Sequence, residues 1–268
     1  MPEKIRIENL QGSNIDDLIY VCSAKRLDDT IHQQGVKLKR QWLREMLKNC
    51  GSVAKIAYFN DRPVAQILFF PEEVDATKAF RRENVLVIQC IYNPNPEAQK
   101  LGIGTRLLQG LIQDAKNRKT CLGNKRCKFL LTKAFNTGEF LPLPEFFTKN
   151  SFTSTSEGNL LYLPIDGQYE PMPSVGNYEP LAEDRDKAII FYGPVCQFGY
   201  PFAKKIEELV LEVEPNIKIE MINDWEKPEE SIKRKNWWLI VNAKPIQTFF
   251  METEKFKAEI RQAVSQNY

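Results

Sequence analysis

The hydrophobic pattern over the first 165 residues alternates between strand-like and helix-like periods. Strands are predicted in "KIRIENL", in a hairpin over "AKIAYFNDRPVAQILFF", and in "NVLVIQCIY", "CKFLLTKAF" and "NLLYLPI". Apolar residues at helical spacing predict helices over about 15–27 and 37–50, after Gly104, and in "PEFFTKNSF". The predicted element order is therefore β-α-α-β-β-β-α-β-α-β.

A second patterned segment follows a stretch without apolar periodicity. That stretch, "DGQYEPMPSVGNYEPLAEDRD" (residues 166–186), combines prolines, glycines and acids and is predicted to be a linker. Residues 187–268 then predict the order β-α-β-α-β-β-α, from "KAIIFYG" to a last helix capped by Thr253. We therefore expect an α/β (α+β) protein with domains over 1–165 and 187–268.

Composition excludes several classes of function. A net charge of +2 on 268 residues is too small to indicate a nucleic-acid surface. The longest apolar runs are far shorter than a membrane span, and the start resembles no signal peptide, so we expect no membrane association and a cytoplasmic location. The six cysteines form no CxxC pair and His32 is the only histidine, so we expect no metal site and no histidine-based triad.

The stretch "QKLGIGTRLL" (residues 99–108) carries the clearest candidate chemistry. It lacks the third glycine of a dinucleotide-binding loop and the Gly-Lys pair of a nucleotide-triphosphate loop. It does fit Q/RxxGxG at the start of a helix, where free backbone amides and the helix dipole favour an anion. The alternative at this point is a strand–helix turn without a ligand.

In its context, this stretch resembles the GNAT family of acyl-CoA N-acyltransferases. "VLVIQCIYN" followed by "QKLGIGTRLL" matches the family's diphosphate loop and helix, and "CKFLLTKAFN" and "EFFTKNSF…LLYLPI" resemble the elements that follow, over residues 4–165. The resemblance implies acetyl-CoA or another acyl-CoA as co-substrate and an amine of a small molecule or protein as acceptor. It also implies that the pantetheine arm lies between the strands "VLVIQCIYN" and "CKFLL". The cofactor-binding residues that it implies are Ile91, Tyr92, Gln99, Lys100, Leu101, Gly102, Ile103, Gly104, Thr105, Arg106, Asn136 and Phe147.

The groups that handle protons are less well defined. Phe147 stands where many family members have a tyrosine that protonates the departing thiolate, and Phe cannot donate a proton. Glu72 and Glu73 are the candidate general bases, and Tyr162, with Tyr92, the candidate acid. The alternatives are solvated carboxylates at a sheet edge and packed aromatic side chains.

The second segment resembles the thioredoxin-like fold in element order, and its end resembles the YoaP-like domain found after acetyltransferase domains. Cys196 lies after a strand and before a helix, where a thioredoxin-type nucleophile would lie, but the second cysteine is missing. Two functions of different classes remain open: an N-acetyltransferase, or a protein that senses acyl-CoA or binds a partner with a degenerate catalytic site. Single-thiol redox chemistry at Cys196 is a third possibility.

Overall fold

A seven-stranded sheet in the order β1-β2-β3-β4-β5-β7-β6 dominates the first part of the chain. The structure, a computed structural model, describes residues 5–135 and 141–265. The strands are β1 (Ile5–Asn9), β2 (Ala54–Phe59), β3 (Arg62–Pro71), β4 (Val85–Tyr92), β5 (Phe129–Lys133), β6 (Thr153–Ser154) and β7 (Leu160–Pro164). All neighbours pair antiparallel except β4 and β5, which are parallel.

Four helices accompany this sheet: α1 (Ile15–Ser23), α2 (Thr30–Cys50), α3 (Ile103–Lys116) and α4 (Leu143–Lys149). The predicted element order is confirmed, with β6 as an additional two-residue strand. The predicted hairpin turns at Asn60 and Asp61, which both have positive φ, the geometry of a tight two-residue turn. The second helix begins at Thr30 rather than near residue 37.

Buried polar contacts fix α3 on the sheet. The ammonium of Lys55 on β2 bonds to the carboxylate of Asp114 on α3 and to Asn9 Oδ1, the latter at 2.7 Å. Gly110 of α3 lies beside this side chain, at a distance where a Cβ would make an ordinary contact of 3.6 Å with Lys55 Cδ. The pair therefore marks the side of the sheet that α3 covers.

The chain divides into two compact units. The first comprises Met1–Lys25, Arg40–Asp75 and Arg81–Met172, and the second comprises Arg26–Lys39, Ala76–Phe80 and Pro173–Tyr268. Helix α2 is thus divided between them at residue 40. The predicted domains, residues 1–165 and 187–268, were inferred from sequence patterns. This division into units does not test their boundaries, so they stay a prediction.

The second unit has its own four-stranded sheet in the order β11-β10-β8-β9. Its elements are β8 (Lys187–Tyr192), α5 (Gly199–Val213), β9 (Lys218–Asn223), α6 (Pro228–Lys233), β10 (Leu239–Val241), β11 (Lys244–Pro245) and α7 (Thr253–Ser265). Strands β8 and β9 are parallel, and β10 runs antiparallel to both β8 and β11. The order β-α-β-α-β-β-α predicted from the sequence is present. The thioredoxin-like and YoaP-like assignments remain predictions.

Part of the predicted linker is packed into the second unit. Tyr178 is buried with Ile189 and Phe191 of β8, and its hydroxyl donates to Asp184 Oδ2 at 2.7 Å. Asp184 is fully buried and accepts from the guanidinium of Arg234, from Nη2 at 2.7 Å and from Nε at 3.0 Å. This network joins Tyr178 and Asp184 of the predicted linker to the core of the second unit.

The first half of α2 packs closely on the loop before α5 within the second unit. A Cβ on Gly35 would lie 2.0 Å from the carbonyl oxygen of Gln197, so only glycine permits this approach. His32 is fully buried with its ring 4.9 Å from that of Phe198. Cys196, in the same loop, is exposed and in no disulfide.

The imidazole of His32 is expected to titrate below its ordinary pKa of about 6.5. Burial lowers the pKa of His32, and the charge of Asp29 opposes this only in part. Between the lowered pKa and about 6.5 the unfolded chain holds the extra proton, so stability should fall as pH drops through this window. Because His32 is the only histidine, one imidazole NMR signal reports the midpoint, and a midpoint at or above 6.5 would contradict the prediction.

Every helix within residues 5–135 and 141–265 is too short or too polar to span a bilayer.

Candidate functional site

Strands β4 and β5 part in the middle of the first sheet. Their parallel pairing ends at Ile88↔Thr132, where the Thr132 hydroxyl donates to the Ile88 carbonyl at 3.1 Å, while β4 continues to Tyr92. The separation predicted between these strands is therefore present. On the side of β5, the part of β4 beyond Ile88 pairs with no strand among the described residues.

A bulge in β4 lies at the same level. Leu68 of β3 pairs with Cys90 and Phe69 pairs with Ile88, so Gln89 is an extra residue in β4. Such a bulge bends the strand and re-aims the residues that follow it. The bulge and the end of the β4–β5 pairing together open the sheet at one place.

A cavity of about 630 Å³ occupies this opening, within the size range of about 300–1,000 Å³ of small-molecule sites. It is lined by the end of β4 with its following loop, the first turn of α3, the end of β5, and α4. The half-buried Cys90 also lines it. The cavity thus lies entirely within the first unit.

The first turn of α3 presents free backbone amides to this cavity. The helix begins after Gly102, whose φ of +70° is a conformation that favours glycine, and Arg106 N is the first amide to reach a helical acceptor, Gly102 O, at 3.0 Å. The amides of Ile103, Gly104 and Thr105 therefore have no helical partner. With no acid in this turn, the positive end of the helix dipole favours an anion here.

Hydrogen bonds hold the loop between β4 and α3. Gln99 Nε2 donates to Asn93 O at 3.2 Å, and Asn93 Nδ2 donates to Ala98 O at 2.9 Å. Residues Pro96–Ala98 form a 3-10 turn capped by Asn95. The loop "NPNPEAQ" (residues 93–99) is thus a compact turn that places the end of β4 beside the start of α3.

The structure brings most of the predicted cofactor-binding residues to one cavity. Those that line it are Ile91, Tyr92, Gln99, Lys100, Gly102, Ile103, Gly104, Thr105 and Phe147. The side chains of Leu101 and Arg106 do not line it, although both flank the first turn of α3. Asn136 lies outside the described residues.

Phe147 closes the cavity from α4. Its side chain is 1% exposed and contacts Phe146 and Phe152 at ring-centroid distances of 5.2 and 4.9 Å. Phe146 in turn lies against the first turn of α3, its Cε2 3.5 Å from where a Cβ on Gly104 would be. The residues of α4 that line the cavity, Leu143, Phe146 and Phe147, are apolar, so none of them can donate a proton there.

Glu72 and Glu73 do not reach the cavity. They follow Pro71, which pairs with Leu86 near the start of β4, roughly 16 Å along the strand from Ile91 at about 3.3 Å per residue. Glu72 is 1% exposed and accepts from Arg82, from Nε at 2.6 Å and from Nη2 at 2.9 Å. This buried ion pair counts against the predicted role of Glu72 as a general base in this cavity.

Glu73 and Tyr162 are also engaged elsewhere. The carboxylate of Glu73 accepts from the backbone N–H of Asn84 at 3.0 Å and from Lys125 Nζ at 3.1 Å. Tyr162 on β7 packs its ring 4.9 Å from that of Tyr169, in a cluster outside the cavity. Their positions favour the alternatives of a surface carboxylate and a packed aromatic side chain.

Among the cavity residues that were not singled out from the sequence are Gln89, Lys133 and Phe135. The bulge that exposes Gln89 depends on pairing with β3 and leaves no mark in the apolar pattern. Lys133 and Phe135 end or follow a strand, and their position at the end of "CKFLLTKAF" was the available signal.

Glu72→Gln is expected to lower the free energy of unfolding by about 2 kcal/mol, because it weakens charged hydrogen bonds to the buried Arg82. The kcat of the folded variant should stay unchanged, since Glu72 lies away from the cavity. Urea denaturation and steady-state kinetics measure the two effects. A loss of kcat of more than tenfold in a fully folded variant would contradict this.

Comparison with known proteins agrees with this geometry over part of the chain. Residues 21–138 match the model of the Acetyltransferase (GNAT) family. No protein of curated function matches the chain.

Similar solved structures cover about 60% of the chain. A GNAT family acetyltransferase from Brucella melitensis in complex with acetyl-CoA has 11% identity, covers 64% of this chain and 94% of its own, and gives a TM-score of 0.42. The PaiA N-acetyltransferase from Thermoplasma acidophilum in complex with coenzyme A has 14% identity, 60% and 99% coverage, and a TM-score of 0.42. An N-acetyltransferase from Staphylococcus aureus Mu50 has 14% identity, 60% and 99% coverage, and a TM-score of 0.43. By this match, residues 21–138 are similar to the GNAT acetyltransferase family.

Proposed function

We propose that this protein is an N-acyltransferase that moves an acetyl group from acetyl-CoA to an amine of a small molecule or protein. The observation that carries the proposal is the cavity in which the parted end of β4 leads directly to the free amides of α3. The family match over residues 21–138 supports it.

The donor is proposed to lie along the parted edge of β4. Its diphosphate would bind the amides of residues 101–105, with Lys100 and Arg106 adding positive charge. The pantetheine arm would bond to the backbone of Ile91 and Tyr92, as an added strand does at an open sheet edge.

The reaction is proposed to be direct attack of the amine nitrogen on the thioester carbonyl carbon. The C–N bond forms, the C–S bond breaks, the amine releases a proton and the thiolate of CoA takes one up. Phe147 cannot supply that proton, whereas Tyr92 lines the cavity and carries a phenol. We therefore propose Tyr92 as the acid in place of Tyr162.

Acetyl-CoA binding and amine-dependent thiol release test this function. A ligand at 100 times its Kd stabilises the folded protein by about 2.7 kcal/mol, which thermal denaturation detects. We expect stabilisation by acetyl-CoA and release of free CoA thiol with at least one amine from a varied panel. No stabilisation by acetyl-CoA or CoA would overturn the proposal.

The second candidate is an acyl-CoA sensor or partner-binding protein. Two observations favour it: Phe147 at the cavity cannot donate a proton, and Glu72, a candidate general base, is paired with Arg82 away from the cavity. Stabilisation by acetyl-CoA without turnover on any amine would support the sensor.

For the second unit we propose a thioredoxin-like fold with a YoaP-like end that serves binding rather than dithiol chemistry. Its strand order and its parallel β8–β9 pair support the fold, and Cys196 lies in the loop between β8 and α5. A cytoplasmic location completes the proposal.

A further inference from the structure

Two polar side chains flank the opening between β4 and β5. Gln89, the extra residue of the bulge, and Lys133, the last residue of β5, both line the cavity. Both side chains are exposed. They lie directly beyond the last β4–β5 pair, Ile88↔Thr132, and therefore face the place where the strands separate.

Neither side chain is engaged by another described residue. Within residues 5–135 and 141–265, no hydrogen bond or ion pair involves Lys133 or the side chain of Gln89. By contrast, Lys128, which directly precedes β5, donates to Glu170 Oε1 at 2.7 Å. Lys133 thus has no partner among the described residues, whereas Lys128, just before the same strand, has one.

Lys133 lies on the side of the sheet opposite to α3. Successive side chains of a strand point to opposite faces, and Thr132 lies on the α3 side. The cross-strand pairs that lead from Lys55, the partner of α3, to that residue are Lys55↔Ile67, Phe69↔Ile88 and Ile88↔Thr132. The side chain of Lys133 therefore starts on the face of the sheet opposite to α3, whose first turn is proposed to bind the diphosphate.

Apolar residues of neighbouring segments also line the cavity. Phe135, two residues beyond Lys133, is 55% exposed and lines the cavity together with Leu141 and Leu143. An exposed phenylalanine beside an exposed lysine favours a ligand that combines an apolar group with an anion.

We propose that the acceptor is an amino acid with an apolar side chain and a free carboxylate, and that Lys133, with Gln89, binds that carboxylate. This inference rests on the proposed acetyltransferase function. The amine nitrogen attacks the thioester, CoA leaves as the thiol, and the carboxylate remains unchanged in the N-acetylated product.

The test compares apolar amino acids with their amides, for example L-phenylalanine with L-phenylalaninamide, and likewise for leucine, methionine and tryptophan. The amide replaces the carboxylate by a neutral group. Its less basic amine is also unprotonated to a larger extent at neutral pH, which biases the comparison against the proposal. We expect kcat/KM to be at least about tenfold higher for the acid in one or more pairs, a difference of about 1.4 kcal/mol.

Variants assign that preference to Lys133. Lys133→Gln should remove it by raising KM for the acid with little change in kcat, and Lys133→Arg should keep most of it. Lys128→Gln, the same change just before β5 and outside the cavity, should leave the preference intact. Stabilisation by acetyl-CoA should be unchanged in all three variants.

Other results would overturn the inference. One is a kcat/KM for the amide that equals or exceeds that for the acid in every pair. Another is an equal loss of kcat/KM for acid and amide in Lys133→Gln. Weaker stabilisation of Lys133→Gln by acetyl-CoA would assign the lysine to the donor instead. If the protein binds acetyl-CoA without turnover, calorimetric binding of each acid and amide to the CoA complex makes the same comparison. Loss of the proposed function itself is distinct, because then acetyl-CoA fails to stabilise even the unaltered protein.

Discussion

Gly104→Asp is expected to abolish stabilisation by acetyl-CoA while the protein stays folded. The substitution puts a carboxylate in the first turn of α3, where the diphosphate is proposed to bind, and the two anions repel each other. We expect Kd for acetyl-CoA to rise at least about 100-fold, which is about 2.7 kcal/mol. Thermal denaturation with and without ligand, and calorimetric titration, measure the change.

The same substitution should not harm the fold. An acid in a first helical turn is favourable, and replacing a helical glycine removes a cost of up to about 1 kcal/mol. A Cβ at this position meets only Phe146 Cε2 at 3.5 Å, an ordinary contact. Two control variants separate the effect of the charge from other effects. Gly104→Ala adds the Cβ without the charge, and Gln109→Asp adds the charge at an exposed position of α3 outside the cavity. If Gly104→Asp still binds acetyl-CoA tightly, the proposed position of the diphosphate at this turn is wrong.

Arg234→Met is expected to destabilise the second unit by about 3–5 kcal/mol, because it leaves the buried carboxylate of Asp184 without its cation. Arg234 is 2% exposed and also bonds to Glu230 and to Glu183. Although burial alone lowers the pKa of Arg234, its hydrogen bonds to Asp184 and Glu230 raise it overall. The guanidinium is therefore charged at every accessible pH, and the destabilisation should not depend on pH near neutrality.

Urea denaturation followed by tryptophan fluorescence measures this effect. Three of the four tryptophans, Trp225, Trp237 and Trp238, belong to the second unit. The matched control is Lys233→Met, which breaks the exposed pair with Glu183 and should cost at most about 1 kcal/mol. Adding Asp184→Leu to Arg234→Met should recover part of the loss, because a buried charge no longer lacks a partner. Equal stabilities of Arg234→Met and the unaltered protein would show that the network does not hold residues 173–186.

Elements with a strong apolar period were predictable from the sequence. "VLVIQCIY" coincides with β4, whose first four residues are buried, and the stripe after Gly104 coincides with α3, whose inner face is fully buried. The first half of α2 was missed because its residues are mainly polar and it contains Gly35, which disfavours a helix in isolation. That glycine is required by the close approach of Gln197, a contact distant in sequence.

The candidate site was predictable on one side only. The spacing of Gly102 and Gly104 at a helix start follows from local backbone requirements, so the sequence alone could indicate the turn that is proposed to bind an anion. The distance of Glu72 and Glu73 from the cavity could not be predicted, because a strand pattern does not show where the strand ends relative to its neighbours. The pairing of Pro71 with Leu86 puts them at the end of β4 away from the cavity.

The sequence by itself determined the element order, the start of α3 and the resemblance to an acyltransferase, because these depend on local apolar periods and on glycine conformation. Only the tertiary structure decided which side chains meet at the cavity. Strand register, the bulge at Gln89 and the end of the β4–β5 pairing are set by contacts between distant segments. For the same reason only the tertiary structure shows that Glu72 is a partner of Arg82 and that Lys133 faces the cavity.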